Sequence, residues 1–260
     1  MKSEEPEDYR LGWRPFLGCQ VDLSQRPLIP REETEFWVDQ AIKELKPEST
    51  AGKQVLDLFA GSGCIGLAVL EHCPGVAVTF GEREEKFCGQ IRKNLKLNPP
   101  ARFDFPPDLR AASQGLAGGR TMASQGLAGE RTMASQGLAG RIRVESSGKV
   151  VQTDIFSKIK GQFDFIFANP PYVATRRSRV QASVRDWEPA GALFAGPDGL
   201  AVIRPFLVEA KKRLHPGGRI YLEFGYGQKG ALEELLRQNG YKGWSFRRDQ
   251  FGRWRWVVIQ

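Results

Sequence analysis

The chain has 260 residues, is 41% hydrophobic and 26% charged, and carries a formal net charge of +8. That length holds one large α/β domain, or one domain with a small appendage. No apolar run approaches the roughly 18 residues of a membrane span, and the acidic start "MKSEEPEDYR" has neither a signal peptide's apolar stretch nor a transit peptide's Arg/Ser bias, which points to the cytosol. The cysteines, Cys19, Cys64, Cys73 and Cys88, show no CxxC spacing, so free thiols are expected and a zinc site is not. The basic excess fits an acidic partner such as RNA or a ribosome-associated protein, and equally fits simple solubility.

Taken in chain order, "QVLDLF" (54–59) is an apolar run of strand length, followed by the glycine turn "AGSG" and the helical pattern "CIGLAVLEHC". "VAVTFGE" (76–82) is a second strand, and "REEKFCGQIRKNLKL" a charged amphipathic helix. A tandem repeat of period 11 then begins at Ala112, Ala123 and Ala134. Its glycines and sparse apolar side chains argue against both a coiled coil and a solenoid, so about 99–140 is expected to be a flexible surface insertion. "KVVQTDIF" (149–156) and "FDFIFA" (163–168) are the third and fourth strands. A helix is expected over 199–218, its regular part starting near Ile203 and its end marked by Pro216 and two glycines. "RIYLEF" (219–224) is a fifth strand, "KGALEELLRQNG" a helix, and the C-terminus an antiparallel hairpin around "DQFG". The whole predicts an α/β, doubly wound, mostly parallel seven-stranded sheet ending in that hairpin, with ligands beyond the carboxyl ends of its strands.

Two of those ends carry chemistry. Gly61, Gly63 and Gly66 form a GxGxxG turn, which lets backbone approach a ligand while the following helix offers free N–H groups. Asp57, just before it, suits a ligand with an ammonium group, such as the amino-acid end of S-adenosylmethionine, better than a pyrophosphate. Glu82 ends the second strand, where an acid can accept both ribose hydroxyls; a solvated helix start is the competing reading. Asp154 reads either as an acid beside an adenine or as a helix cap.

The fourth strand ends in Asn169-Pro170-Pro171-Tyr172. Each proline holds the preceding residue extended and donates nothing, so this rim offers acceptors: the Asn169 side-chain oxygen and the Pro170 carbonyl. Two fixed acceptors suit an –NH2 group. Holding both its hydrogens aims the nitrogen lone pair at a neighbouring methyl sulfonium, with Tyr172 stacked on the planar substrate. Catalysis then comes from orientation and exclusion of water.

With these stretches the sequence resembles a Rossmann-like class I S-adenosylmethionine methyltransferase, and more narrowly the HemK/PrmC family. That family methylates the glutamine side-chain nitrogen in the Gly-Gly-Gln loop of peptide chain release factors. "PLIPREETEFWV" (27–38), "EPAGALFAGPDGL" (188–200) and "LEFGYGQ" (222–228) are similar to its other motifs. The resemblance implies S-adenosylmethionine at Asp57, Gly61, Gly63, Glu82, Asp154 and Asn169. It also implies the substrate amide at Asn169, Pro170, Pro171 and Tyr172, with Asn169, Pro170 and Tyr172 catalytic. Arg31 and Glu33 to Glu35 fall near the active-site mouth, and Glu188 either contacts the substrate or supports its loop.

Residues 1–30 are expected to be a short segment without the family's helical domain, either because the substrate docks on the methyltransferase domain (31–260) alone or because the start is truncated. The alternative acceptor is an exocyclic amine of a nucleic-acid base. Arg176, Arg177 and Arg179 could meet an acidic surface or RNA. Arg253-Trp254-Arg255-Trp256 reads as a strand with Trp on one face and Arg on the other.

Overall fold

The computed structural model describes residues 3–45, 50–99, 102–105, 142–175 and 180–260. A short helix α1 (Glu7–Leu11) and a hairpin of β1 (Trp13–Phe16) and β2 (Cys19–Asp22) come first, and their Tyr9, Phe16 and Val21 join the core cluster on one sheet face. Helix α2 (Glu32–Glu44) buries Thr34, Trp37, Val38, Ala41 and Ile42. That i, i+3, i+4, i+7, i+8 spacing makes one apolar stripe, and Glu32, Glu33 and Glu35 lie in the first turn, where the helix dipole favours acids.

The α/β units follow: β3 (Gln54–Leu58), α3 (Cys64–His72), β4 (Ala77–Glu82) and α4 (Glu85–Leu97). Next come β5 (Arg102–Phe105) and β6 (Ile142–Glu145), which pair with each other as a separate antiparallel ribbon. Residues 106–141 between them, which hold the first two repeats and most of the third, lie outside the described residues, as do Arg176, Arg177 and Arg179; the third repeat's last three residues, 142–144, are in β6. The chain continues through β7 (Ser147–Gln152), β8 (Phe163–Ala168), α5 (Ala182–Trp187), α6 (Ala190–Leu193), α7 (Ile203–Ala210), β9 (Leu214–Glu223), α8 (Lys229–Gln238), β10 (Trp244–Arg248) and β11 (Trp254–Ile259).

The seven-stranded sheet has the order β10-β11-β9-β8-β3-β4-β7. From β7 through β9 all neighbours are parallel; β11 runs against both β9 and β10. The expected α/β sheet with its terminal hairpin is therefore observed. Alternation sorts each strand between two cores. Val55, Phe167, Tyr221 and Trp256 face α2 and α3, while Leu56, Ile166, Leu222 and Val257 face α7 and α8.

Three expectations need correction. The helix expected to 218 stops at Ala210, passes through a 3-10 turn at Lys211–Arg213, and gives way to β9 at Leu214. A bulge accommodates the Pro-Gly-Gly stretch there: Phe163 pairs with Leu214 and Phe165 with Arg219, so His215 to Gly218 stand opposite Asp164. The third strand ends at Gln152, and the next residues turn, with Ile155 at φ 48°. In the hairpin, Arg247 pairs with Trp256 and Arg248 with Trp254, so Arg255 is an extra, bulged residue. The bulge resets the alternation, and Trp254 and Trp256 pack in opposite cores rather than on one face.

Gly66 shows how tightly α3 sits on the sheet. A Cβ there would lie 2.3 Å from Phe80 Cε1 and 2.7 Å from Cζ, and Phe80 is fully buried. Gly66→Ala is expected to cost about 1–3 kcal/mol in urea unfolding through overpacking. Gly89→Ala is expected to gain up to about 1 kcal/mol, because Gly89 has nothing within 4 Å of its would-be Cβ in the middle of α4.

Candidate active site

Strands β3 and β8 are neighbours from which the chain departs in opposite directions across the sheet, which opens a crevice at their carboxyl ends. A cavity of about 240 Å³ lies there. Gly61, Glu82, Asp154, Asn169 and Pro171 line it, together with Arg31, Thr34, Phe59 and Ile155. Gly63, Asp57, Pro170, Tyr172 and Glu188 are not among its lining residues.

The turn after β3 needs left-handed backbone at Gly61 (φ 56°) and Gly63 (φ 83°), and Phe59 shares it at φ 65°. Phe59 and Ile155 are side-chain-bearing residues in a region that disfavours them, at a cost of about 1–3 kcal/mol each, and both face the cavity. Glu82 locks the turn to β4. Its Oε2 accepts from Gly61 N–H at 2.9 Å and its Oε1 from Glu84 N–H at 2.8 Å. The Asp154 side chain lines the cavity from the turn after β7 and is exposed, while its backbone closes on Ser157.

Asp57 is placed one layer below. It is 1% exposed, and its Oδ2 accepts from Gly66 N–H at 2.9 Å. Its Oδ1 is buried with no partner among the described residues. Burial pushes its carboxyl up to about 7, against the Gly66 hydrogen bond and with a smaller push from Glu82.

On the other side the NPPY strand end meets two more segments. Asn169 Nδ2 donates to Thr34 Oγ1 at 3.2 Å, and Thr34 donates to Glu223 Oε2 at 2.7 Å. The same Oε2 accepts from Trp37 Nε1 at 2.6 Å, and Oε1 accepts from the Tyr172 hydroxyl at 2.9 Å. Glu223 is 1% exposed, and burial raises its pKa despite these donors and the nearby Arg255. Burial likewise raises the Tyr172 phenol, with the Glu223 charge adding to it. Arg255 is itself held at 3.1 Å by the buried Asp249.

Glu188 Oε1 pairs with Arg31 at 2.6 Å and Oε2 accepts from Ile29 N–H at 3.1 Å. It ties the loop before α6 to the segment before α2. Glu35 turns away and accepts from Leu17 N–H at 2.9 Å, and Glu33 does not line the cavity. Thr34 and Glu223 are the site residues that motif reading passed over individually. An acid inside the apolar run "IYLEF" is the signal that could have found Glu223.

A family model described as lysine methyltransferase matches residues 33–104. The match ends before Asn169. The release factor glutamine methyltransferase of Thermodesulfovibrio yellowstonii is 29% identical over 260 residues, covering 99% of this chain and 77% of that one. The enzyme of that name from Bordetella pertussis is 32% identical over 250 residues, covering 95% of this chain and 75% of its own. The chain belongs to the release factor glutamine methyltransferase family.

As a member of that family it is a methyltransferase, and S-adenosylmethionine is its cofactor. Solved structures agree on the fold. The ribosomal protein L11 methylase of Lactobacillus delbrueckii superposes with a TM-score of 0.54 at 13% identity, covering 92% of this chain and 83% of that one. The T. thermophilus 16S rRNA N2 G1207 methyltransferase, solved with AdoMet and guanosine, gives 0.58 at 15%, covering 95% and 49%. Among the described residues no helix is long and apolar enough to cross a membrane, no group of His, Cys, Asp and Glu could hold a metal, and all four cysteines are free and buried.

The raised Asp57 pKa has a stability consequence. The folded protein holds that proton up to about pH 7, whereas an unfolded aspartate releases it near 3.8. Asp57 therefore contributes most at or below the unfolded value, and its contribution is lost as pH rises from about 4 to 7. Asp57→Asn removes the titration. Urea unfolding of the ligand-free proteins should show the variant gaining on wild type across that window; a constant difference would assign Asp57 an unshifted pKa.

Proposed function

We propose that this protein transfers a methyl group from S-adenosylmethionine to the side-chain amide nitrogen of the glutamine in the Gly-Gly-Gln motif of peptide chain release factors. The observation that carries the reading is the NPPY strand end, where Asn169 lines the cavity with its amide nitrogen engaged by Thr34. That leaves the Asn169 oxygen for a substrate N–H.

The residues present fit the cofactor. Gly61 and Gly63 bring backbone without side chains to either side of Ser62, the Glu82 oxygens have one hydrogen bond each and further lone pairs, and Asp154 lines the cavity. We assign Glu82 to the ribose hydroxyls, Asp154 to the adenine side, and Gly61 and Gly63 to the backbone cradle. Asp57, beneath the turn, is held neutral by burial up to about pH 7 and would ionise opposite the ammonium end of the bound cofactor. When bound, the cofactor supplies a methyl carbon made electrophilic by its sulfonium.

The chain's own residues prepare the acceptor. An amide nitrogen is a poor nucleophile because its lone pair is delocalised. Asn169 Oδ1 and the Pro170 carbonyl take its two hydrogens, which turns the lone pair toward the cofactor side of the cavity. Pro171 shields that geometry from water, and Tyr172 backs the strand end through Glu223. Once methylated, the nitrogen is acidic enough to lose its extra proton to water. The gain comes from orientation and from acceptors fixed before the substrate arrives.

Glu188 supports this site through Arg31. The cytoplasm, where release factors act, is the setting this reading implies. A nucleic-acid amine could present the same –NH2, but the aromatic tail that stacking on bases would need is engaged: Trp256 is 2% exposed, and Trp254 lies under Arg248.

Mass spectrometry of a release factor incubated with protein and cofactor should show one added methyl on the Gly-Gly-Gln glutamine. Asn169→Ala should keep cofactor binding and lose roughly 100-fold or more in turnover. Methylation of RNA with an untouched release factor would reverse the choice of substrate.

A further inference from the structure

We infer that Thr34 and Glu223 are positioning residues that set the direction of every hydrogen bond leading to Asn169, so that its amide oxygen is held toward the substrate before the substrate binds. The inference deepens the proposed amide methylation and rests on that reading.

Trp37 Nε1 can only donate, and it donates to Glu223 Oε2. That oxygen therefore acts as an acceptor, and the Thr34 hydroxyl 2.7 Å away donates to it as well. Having used its one proton, Thr34 Oγ1 can only accept from Asn169, 3.2 Å away. Of the two branches of the Asn169 amide, only the –NH2 can donate. The oxygen is thus forced to the other side, on a residue that lines the cavity.

The direction survives protonation of Glu223. A proton on that carboxyl goes to Oε1, where the Tyr172 hydroxyl can turn to accept it, because Oε2 already takes two donors. One buried carboxylate thus removes an ambiguity that an asparagine at a strand end would otherwise keep. A flipped amide would present –NH2 to the substrate –NH2, donor against donor.

The test uses the full-length protein, a release factor, and side-chain amide NMR of Asn169 with S-adenosylhomocysteine as the binding probe. Thr34→Val keeps the shape and removes the hydroxyl. It should lower kcat roughly 10- to 100-fold while KM for the release factor and affinity for S-adenosylhomocysteine stay within about 3-fold. The Asn169 –NH2 signals should move and exchange faster. Thr34→Ser, which restores the hydroxyl, should recover most of kcat and the wild-type signals.

A Thr34→Val protein with wild-type kcat, unmoved Asn169 signals, or no recovery on Thr34→Ser overturns the inference. If Thr34→Val does not fold, Glu223→Gln decides. The Trp37 N–H obliges the new amide to keep its oxygen toward Trp37 and Thr34, so Asn169 signals should remain at their wild-type positions; shifted signals refute the stated direction. A wild-type protein that methylates no release factor sinks the functional reading instead, and leaves the NMR comparison to judge the inference by itself.

Discussion

A buried carboxylate has to be met by donors, and Glu223 is met by three, two from α2 and one from the strand end after β8. It sits in a sheet face otherwise built of stacked aromatics: Trp37, Phe167, Tyr221 and Trp256, with centroids 4.9–6.3 Å apart. An uncompensated charge in such surroundings costs several kcal/mol. Thr34, Trp37 and Tyr172 offset that cost only while α2, β9 and the strand end after β8 keep their relative positions. The demand for satisfaction couples three distant stretches of sequence more specifically than apolar contact does, since apolar packing tolerates small shifts and a 2.6–2.9 Å hydrogen bond does not.

The same site stores strain at its other end. Phe59 and Ile155 hold positive φ at the ends of β3 and β7, where an extended chain would carry each strand onward across the cavity. The surrounding packing holds them: Phe59 rests against Phe206 in the α7 core, and Thr153 Oγ1 bridges to Ile155 O and Lys158 N–H. Rigid strands deliver the residues, and the sharp turns past their ends clear the space in which a ligand can lie.

Much of this is legible in the sequence. The β3-turn-α3 unit, α4, β8 and α8 follow from apolar period and glycine stops, because each is a local pattern. The positions of the NPPY stretch and Glu82 are legible for the same reason, since each marks a strand end. What is not legible is long-range. Thr34 lies in a helix whose first turn looks simply acidic, and its importance depends on Glu223, 189 residues away. The β9 start was masked by Pro216 and its glycines, which read as a helix stop and turn out to be a strand bulge. A bulge is a property of two strands together, and a reading of one strand at a time misses it. The reset at Arg255 has the same origin and explains why two tryptophans two residues apart face opposite cores.

The two buried acids of the α2/α3 face then divide the work by how completely each is satisfied. Glu223 has donors on both oxygens, so it fixes an arrangement and offers nothing further. Asp57 is equally buried, and burial raises its pKa as it does that of Glu223, but it has a donor on only one oxygen. A site that binds a cation gains from such an incomplete carboxylate, because part of its desolvation cost is recovered only when the ligand arrives. A site that must aim a neutral amide gains from a complete one, because any spare hydrogen-bonding capacity would let the amide flip. On the proposed reading the cofactor side and the acceptor side of this cavity place opposite requirements on a buried acid, and β3 and β9 present the same kind of residue to each from the same face of one sheet.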